Sequence, residues 1–320
     1  MKQTLIAAVK KITPRIVKDR MKEVLPYVPW QAENKAMRQR FDPFDTEYAL
    51  NTQKRDLSLI VSFTTIPSRI DKAIYVADSM LSQTVRPDKV LLYLAEDEFP
   101  DKNLPGEYAN LMRRGLEINY VENLKPHKKY YFTLRDYPDA ILITVDDDII
   151  YPLNLIEALY DSYKKFPDAI SALRAHRMRG DKESGLLPYM SWELGIQEAR
   201  KPGFDLFPTG VGSVLYPPCS LSPEVMDKET LIDLCLCADD VWLKAMSLLN
   251  DTPVVLADSG WIFPTIFDTQ EIALQYENTS GGKNDEYINQ VFSHYHLLTP
   301  EFLSKVFPPA VSGSGKCLEK

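Results

Sequence analysis

The stretch Ile141-Leu142-Ile143-Thr144-Val145-Asp146-Asp147-Asp148-Ile149-Ile150-Tyr151-Pro152 decides how this chain is read. Ile141 to Val145 run without polar alternation and describe a strand buried on both faces. The run ends in three carboxylates. Adjacent anions repel one another, and a divalent cation held by carboxylate oxygens is the simplest way to offset that cost. In an extended segment alternate side chains share a face, so Asp146 and Asp148 are expected to address one site while Asp147 points elsewhere. Mg²⁺ or Mn²⁺ keeps positions open for phosphate oxygens, which suits a diphosphate ligand. The structural alternative is a solvated acidic turn capping a helix after Pro152.

Outward from this strand, β and α patterns alternate. Residues 57–65 read as an apolar strand, 70–84 as a helix and 89–95 as a strand. Residues 104–115 read as a helix ending at a glycine cap, 116–122 as a strand, and 128–137 as a helix that stops before Pro138. The quoted strand covers 140–145, followed by a helix over 153–166 and a strand over 169–175. This order implies an α/β fold: a mixed, mainly parallel, Rossmann-like sheet flanked by helices, with right-handed crossovers. Ligands in such sheets bind at the carboxyl ends of the strands, so the loops after Thr65, Ala95, Glu122 and Val145 hold the candidates. Beyond residue 178 the regularity falls. Residues 179–220 read as loops with one strand near 212–216, 239–249 as a helix and 254–257 as a short strand.

The 320 residues are 45% hydrophobic and 26% charged, which excludes a mostly disordered, collagen-like or disulfide-scaffold chain. The net charge of −8 argues against a nucleic-acid binder working through a basic surface. The charge is uneven: residues 1–22 carry seven bases and one acid, a local +6, so the other 298 residues sum to −14. In that segment Leu5, Ile6, Val9, Ile12, Ile16, Val17 and Met21 fall on one helical arc and Lys11, Arg15, Lys18 and Lys22 on the other, with Pro14 dividing it. A basic amphipathic helix suits an anionic membrane surface; docking on a protein surface is the alternative. Residues 26–56 read as an irregular extension. The cysteines (219, 235, 237 and 317) are too few for a disulfide framework and lack zinc-knuckle spacing. No apolar run is long enough to span a bilayer and no signal peptide is read, so the expected location is cytoplasmic, including the inner face of the cytoplasmic membrane.

The run ITVDDDIIYP resembles the DxD motif of GT-A glycosyltransferases, and more narrowly the family 2-like bacterial enzymes of capsule, lipopolysaccharide and exopolysaccharide assembly. Further segments resemble that family in order: Ser62–Ile70, KVLLYLAEDEFP (89–100), HKKYYFTLRDYP (127–138), RAHRM (174–178), FPTGVGSVLYPP (207–218) and ADDVWLKAM (238–246). The resemblance covers 57–298 as one domain, with 1–56 as an N-terminal extension and 299–320 as a tail.

It implies a nucleotide-sugar donor, a UDP-sugar above all, with Mn²⁺ or Mg²⁺, and a saccharide or lipid-linked saccharide acceptor. Asp146 would contact ribose or metal, Asp148 would be the main metal ligand, and Asp147 would line the donor site. Thr65, Pro67 and Arg69 follow the first strand, where such enzymes hold the nucleobase. Glu96 and Asp97 would accept from the base. Lys128 and Lys129 open a helix near the diphosphate, one of them expected to be solvated. The second carboxylate cluster, Asp239-Asp240, opens a helix where acids complement the dipole. Its functional reading is the general base of an inverting transfer, with Asp240 as the base and Asp239 as its partner. His176 and Arg177 are placed to meet acceptor or donor sugar, with a structural histidine as the alternative. Gly210 and Gly212 suit an acceptor-side wall. Residues 278–285 (NTSGGKND) read as a flexible lid. His294 and His296 would complete the metal shell if they lie on a strand; an ordinary surface pair is the alternative. The competing readings are a retaining enzyme of the same fold, a nucleotidyl- or prenyl-diphosphate enzyme, and a non-catalytic carbohydrate-binding protein. A glycine-free first loop and a triplet at a strand end disfavour the diphosphate enzymes.

Overall fold

The apolar run ahead of the acidic triplet forms the strand Ile141–Thr144, every residue of it buried, in the middle of a seven-stranded sheet. The computed structural model describes residues 41–258 and 282–308, apart from 43, 150, 197 and 200. The basic helix expected over 1–22, most of the extension up to residue 56, the first part of the turn at 278–285 and the tail after 308 lie outside the described residues.

The first half of the chain runs β1 (Leu59–Thr64), α1 (Ile70–Leu81), β2 (Lys89–Ala95), α2 (Tyr108–Arg114), β3 (Leu116–Val121), α3 (Lys128–Asp136), β4 (Ile141–Thr144), α4 (Leu155–Lys165) and β5 (Ile170–Ala172). The second half adds β6 (Ala175–Arg177), β7 (Gly180–Asp181), β8 (Gly185–Leu186), β9 (Leu206–Pro208), β10 (Val214–Tyr216), α5 (Lys228–Cys235), α6 (Asp239–Leu249), β11 (Val254–Leu256), α7 (Lys283–His294) and α8 (Pro300–Val306). The main sheet has the order β11-β5-β10-β4-β1-β2-β3. Its pairs are parallel except those of β10, which runs antiparallel to both β4 and β5. The fold is therefore mixed α/β with a mainly parallel central sheet.

Strand alternation sends the apolar residues to two layers. Leu59, Val61, Phe63, Leu92, Ile141 and Ile143 face a core built with α1, α2 and α4. Ile60, Leu91 and Tyr93 pack with Phe132 of α3 on the other side, and Leu142, Ile170 and Val214 join Trp242 and Met246 of α6. Gly115, ending α2, has φ +119°, and its N–H closes the helix on Leu111 and Met112 carbonyls. A Cβ there would also lie 2.6 Å from Leu50 Cγ, so both the turn and the packing of the 49–51 segment require glycine.

Several boundaries differ from the sequence pattern. The helix expected over 104–115 begins only at Tyr108. The strand expected over 169–175 is two strands. Leu173 N–H donates to Ser213 C=O and Arg174 C=O accepts from Thr209 N–H, after which β6 leaves the main sheet to pair with β9. Lys283 to Asp285, expected in a flexible turn, open α7. The expected tail begins with α8, whose Thr299 side chain accepts from Phe302 N–H at its amino end and whose Leu303 and Val306 are buried. Among the described residues no helix is long and apolar enough to cross a membrane.

Candidate active site

The carboxyl ends of β1 and β4 open onto the acidic triplet. Strand geometry stops at Thr144, and Asp147 and Asp148 lie in a turn. Alternation therefore no longer decides which carboxylates meet, and the expectation that Asp147 points away from Asp148 is corrected. Asp147 accepts from Thr65 Oγ1 at 2.5 Å and from Arg69 Nη1 at 3.0 Å, and Asp148 pairs with the same Arg69 nitrogen at 3.2 Å. Asp146 accepts from Lys129 Nζ at 2.7 Å. Asp148 still feels Asp146. Burial, followed by the charges of Asp146 and Asp147, pushes its carboxyl up to about 7. Burial also raises Asp147, against the opposing pull of Arg69 and Thr65. Pro67 opens the short 3-10 turn that delivers Arg69.

Lys129 connects the triplet to the second carboxylate cluster. Its ammonium lies 2.7 Å from Asp239 Oδ2 as well as 2.7 Å from Asp146 Oδ1. Burial alone would lower its pKa, but Asp146, Asp239 and Asp240 together hold it well above 10.5. Burial would raise Asp239; the charges of Lys129 and His127 outweigh that and leave it below the ordinary carboxylate range. Asp240 goes the other way, pushed up to about 8 by burial and the adjacent Asp239. Its carboxylate accepts the Gly210 N–H at 3.0 and 3.2 Å. Gly210 lies close under the ion pair: a Cβ would lie 2.9 Å from Lys129 Nζ and 3.1 Å from Asp146 Oδ1, pressing on both. The triplet, α3, the 209–213 turn and the start of α6 thus meet at one point.

The remaining predicted residues divide. Lys128 is buried rather than solvated; it donates to Asn123 Oδ1 at 3.1 Å, so neither lysine of the pair is a surface residue. Glu96 is exposed in the turn after β2, and Asp97 accepts from Asn123 Nδ2 at 3.1 Å. His176 is buried against Tyr189, its Nδ1 accepting the Gly195 N–H at 2.8 Å; burial and Arg174 lower its pKa to about 4. That is the structural alternative for this residue. Arg177 pairs with Asp205 and lies 3.8 Å from Glu193. Gly212 packs on Arg174, where a Cβ would come within 2.3 Å of Arg174 Cβ. His294 ends helix α7 and His296 follows it with φ +58°, both exposed. The strand that would align the two is therefore absent, and the ordinary surface pair is what the fold shows. Among the described residues no group of three His, Cys, Asp or Glu side chains is placed to hold a metal ion by itself.

Two connections escaped the sequence pattern. Tyr151 Oη accepts the Asp146 N–H at 2.8 Å and donates to Val211 C=O at 3.4 Å, tying the acidic turn to the 209–213 turn. The phenol five residues after Asp146 is the signal that was available. Arg174, within RAHRM, donates to Thr209 Oγ1 at 2.8 Å on the same rim.

No family model matches the chain, and no curated protein matches its sequence. Among solved structures, UDP-glucose pyrophosphorylase from Acinetobacter baumanii is similar over 77% of this chain and 97% of that one, at 11% identity and a TM-score of 0.38.

Proposed function

We propose that this chain is a metal-dependent glycosyltransferase that moves a sugar from a nucleotide-sugar, a UDP-sugar in the first instance, to a saccharide or lipid-linked saccharide, with inversion. The observation that carries the reading is the junction of two carboxylate clusters, distant in sequence, at the carboxyl rim of the sheet through Lys129 and Gly210. Ligands bind at that rim in sheets of this kind.

The donor set fits a hard divalent cation in one form. Five carboxylates (Asp146, Asp147, Asp148, Asp239 and Asp240) gather here around Lys129 and Arg69 among the described residues. Burial first, and then the charges of Asp146 and Asp147, raise Asp148. Asp146 and Asp148 would hold Mn²⁺ or Mg²⁺, with phosphate oxygens and water completing the shell, as Mg²⁺ usually requires. When bound, the cation supplies Lewis-acid stabilisation of charge on the departing diphosphate. Arg69, fixed by Asp147, faces the nucleotide side. Asp240 takes the acceptor hydroxyl proton. Its raised pKa makes it a stronger base than an ordinary carboxylate, and the Gly210 N–H fixes its orientation. Asp239, neutralised by Lys129, keeps the first turn of α6 in place. The basic segment 1–22 would bring the enzyme to an anionic membrane carrying the acceptor. Deleting it should release the protein from anionic liposomes while sparing transfer to a soluble acceptor.

The test is a thermal-shift screen of nucleotide-sugars with and without Mn²⁺, followed by transfer assays on the donor that stabilises. A ligand at 100 times its Kd stabilises by about 2.7 kcal/mol. Asp240→Asn should lower kcat by roughly 100-fold or more while leaving donor binding in place. NMR of the product anomeric configuration should show inversion. Stabilisation by no nucleotide-sugar, or full activity in Asp240→Asn, would sink the proposal.

A further inference from the structure

Arg174 follows β5 on the rim and is clamped along its length. Its C=O accepts the Thr209 N–H at 3.1 Å, and its guanidinium donates to Thr209 Oγ1 at 2.8 Å. Gly212 lies against its backbone so closely that a Cβ would stand 2.6 Å from Arg174 N. The turn that holds Arg174 is also the turn whose Gly210 N–H holds Asp240. The cation and the proposed base are therefore set relative to each other by one short, tightly packed segment.

The guanidinium is largely removed from water, and desolvation weakens its hold on its proton, yet no carboxylate among the described residues lies within 4.0 Å of it. Buried charges ordinarily carry a paired partner. Other rim cations have theirs: Arg69 has Asp147 and Asp148, Lys129 has Asp146 and Asp239, and Arg177 has Asp205. The groups that act on Arg174 at longer range are Tyr189 and Asp240. The acidic triplet acts instead on Lys129 and is offset by Arg69. Arg174 and Asp240 are thus held by consecutive residues, Thr209 and Gly210, of one turn. Beside Arg174, Tyr189 is buried with Trp192, their ring centroids 4.9 Å apart, and forms a fixed wall next to the guanidinium.

We propose that Arg174 forms an oxyanion-binding subsite beside Asp240 that takes the carboxylate or phosphate of an acidic acceptor saccharide. A guanidinium presents a planar fork of donors that matches either group. Bound there, the anion fixes the acceptor with its hydroxyl toward Asp240, and Arg174 is a specificity-determining residue. This rests on the glycosyltransferase reading for its meaning, though not for its measurement.

The experiment compares glucuronate with glucose, which differ by a carboxylate at one carbon, by ligand-observed NMR titration of the full chain. UDP with Mn²⁺ is titrated in parallel. Wild type, Arg174→Met and Arg174→Lys are used, each checked for an unchanged melting temperature. Wild type should bind glucuronate roughly tenfold or more tightly than glucose. Arg174→Met should lose that preference, Arg174→Lys should keep part of it, and UDP–Mn²⁺ affinity should stay within about twofold in both. Absence of a glucuronate preference in wild type overturns the proposal. So does a preference that survives in Arg174→Met, or an Arg174→Met variant that loses UDP–Mn²⁺ affinity instead, which would assign the anion to the donor diphosphate. If wild type binds glucuronate through Arg174 but no UDP–Mn²⁺, the subsite stands and the glycosyltransferase reading falls.

Discussion

Replacing Lys129 with Met removes one ammonium from between two buried carboxylates and leaves the volume nearly unchanged. The lysine side chain is 6% exposed, Asp239 11% and Asp146 25%. Breaking a buried ion pair by deleting one partner costs about 3–5 kcal/mol, because the other charge stays desolvated. Asp146 regains some hydration and Asp239 does not, so the low end, about 3 kcal/mol, applies. In a domain of this size that is a fall in melting temperature of roughly 6 °C.

The pH dependence gives the sharper test. In wild type, Asp239 sits below its ordinary range, so its stabilisation is present above the unfolded carboxylate pKa and is lost as pH falls through the folded value. Lys129 is held above its ordinary value, so its contribution persists until the pH rises through that higher value. In Lys129→Met the sign for Asp239 reverses: burial beside Asp240 raises its pKa, and ionising it as pH rises becomes destabilising. The gap to wild type should therefore widen from pH 5 to pH 8 in denaturant titrations at fixed salt. A gap below about 1 kcal/mol, or one that is flat across that range, would refute the placement of Lys129 between the clusters.

Gly210→Ala should cost about 1–3 kcal/mol by denaturant unfolding, since its Cβ would press on Lys129 Nζ and Asp146; wild-type stability would show that the cluster is loosely packed. Gly212→Ala should cost at least as much, because the 2.3 Å contact is with Arg174 Cβ rather than a flexible chain end. His127 and His176 are both held near 4 by burial, below their unfolded value of 6.5. The unfolded chain then binds more protons, so stability should fall as pH drops below about 6.5 and level off near 4, by up to about 3 kcal/mol per histidine. A flat acid limb between those values would count against their burial.

The apolar runs of β1, β2 and β4 were legible because strands buried on both faces carry no polar alternation. The Asp239–Leu249 helix was legible from end to end because its acids and apolar face agree. The short strands β6 and β9 were not, since three residues carry too little pattern to distinguish a strand from a loop. Helix α5 was missed although Asp227 caps it and Thr230 N–H donates to that side chain. Within the site, residue types were readable but pairings were not. Which of Asp146, Asp147 and Asp148 faces Lys129 depends on where the strand stops, and one residue of error reverses the assignment. Arg174 was overlooked because its role comes from Thr209 and Gly212, contacts that close only in three dimensions.

β10 lies between two strands that run opposite to it. A strand inserted against the grain enters the sheet at the edge where its neighbours leave. It therefore lends the rim the segment that precedes it, whereas the parallel strands lend the segments that follow them. Val214 pairs with Thr144, so the 209–213 turn is anchored to the residue at which β4 ends, two before Asp146. Parallel strands reach the rim only through separate excursions, each free to drift with its own loop. The reversed strand instead fastens the glycine turn to the strand that carries the acidic triplet. The chain could then lengthen or shed its connections at the opposite edge, near 217–222, without altering the register on which Asp146, Gly210 and Asp240 depend.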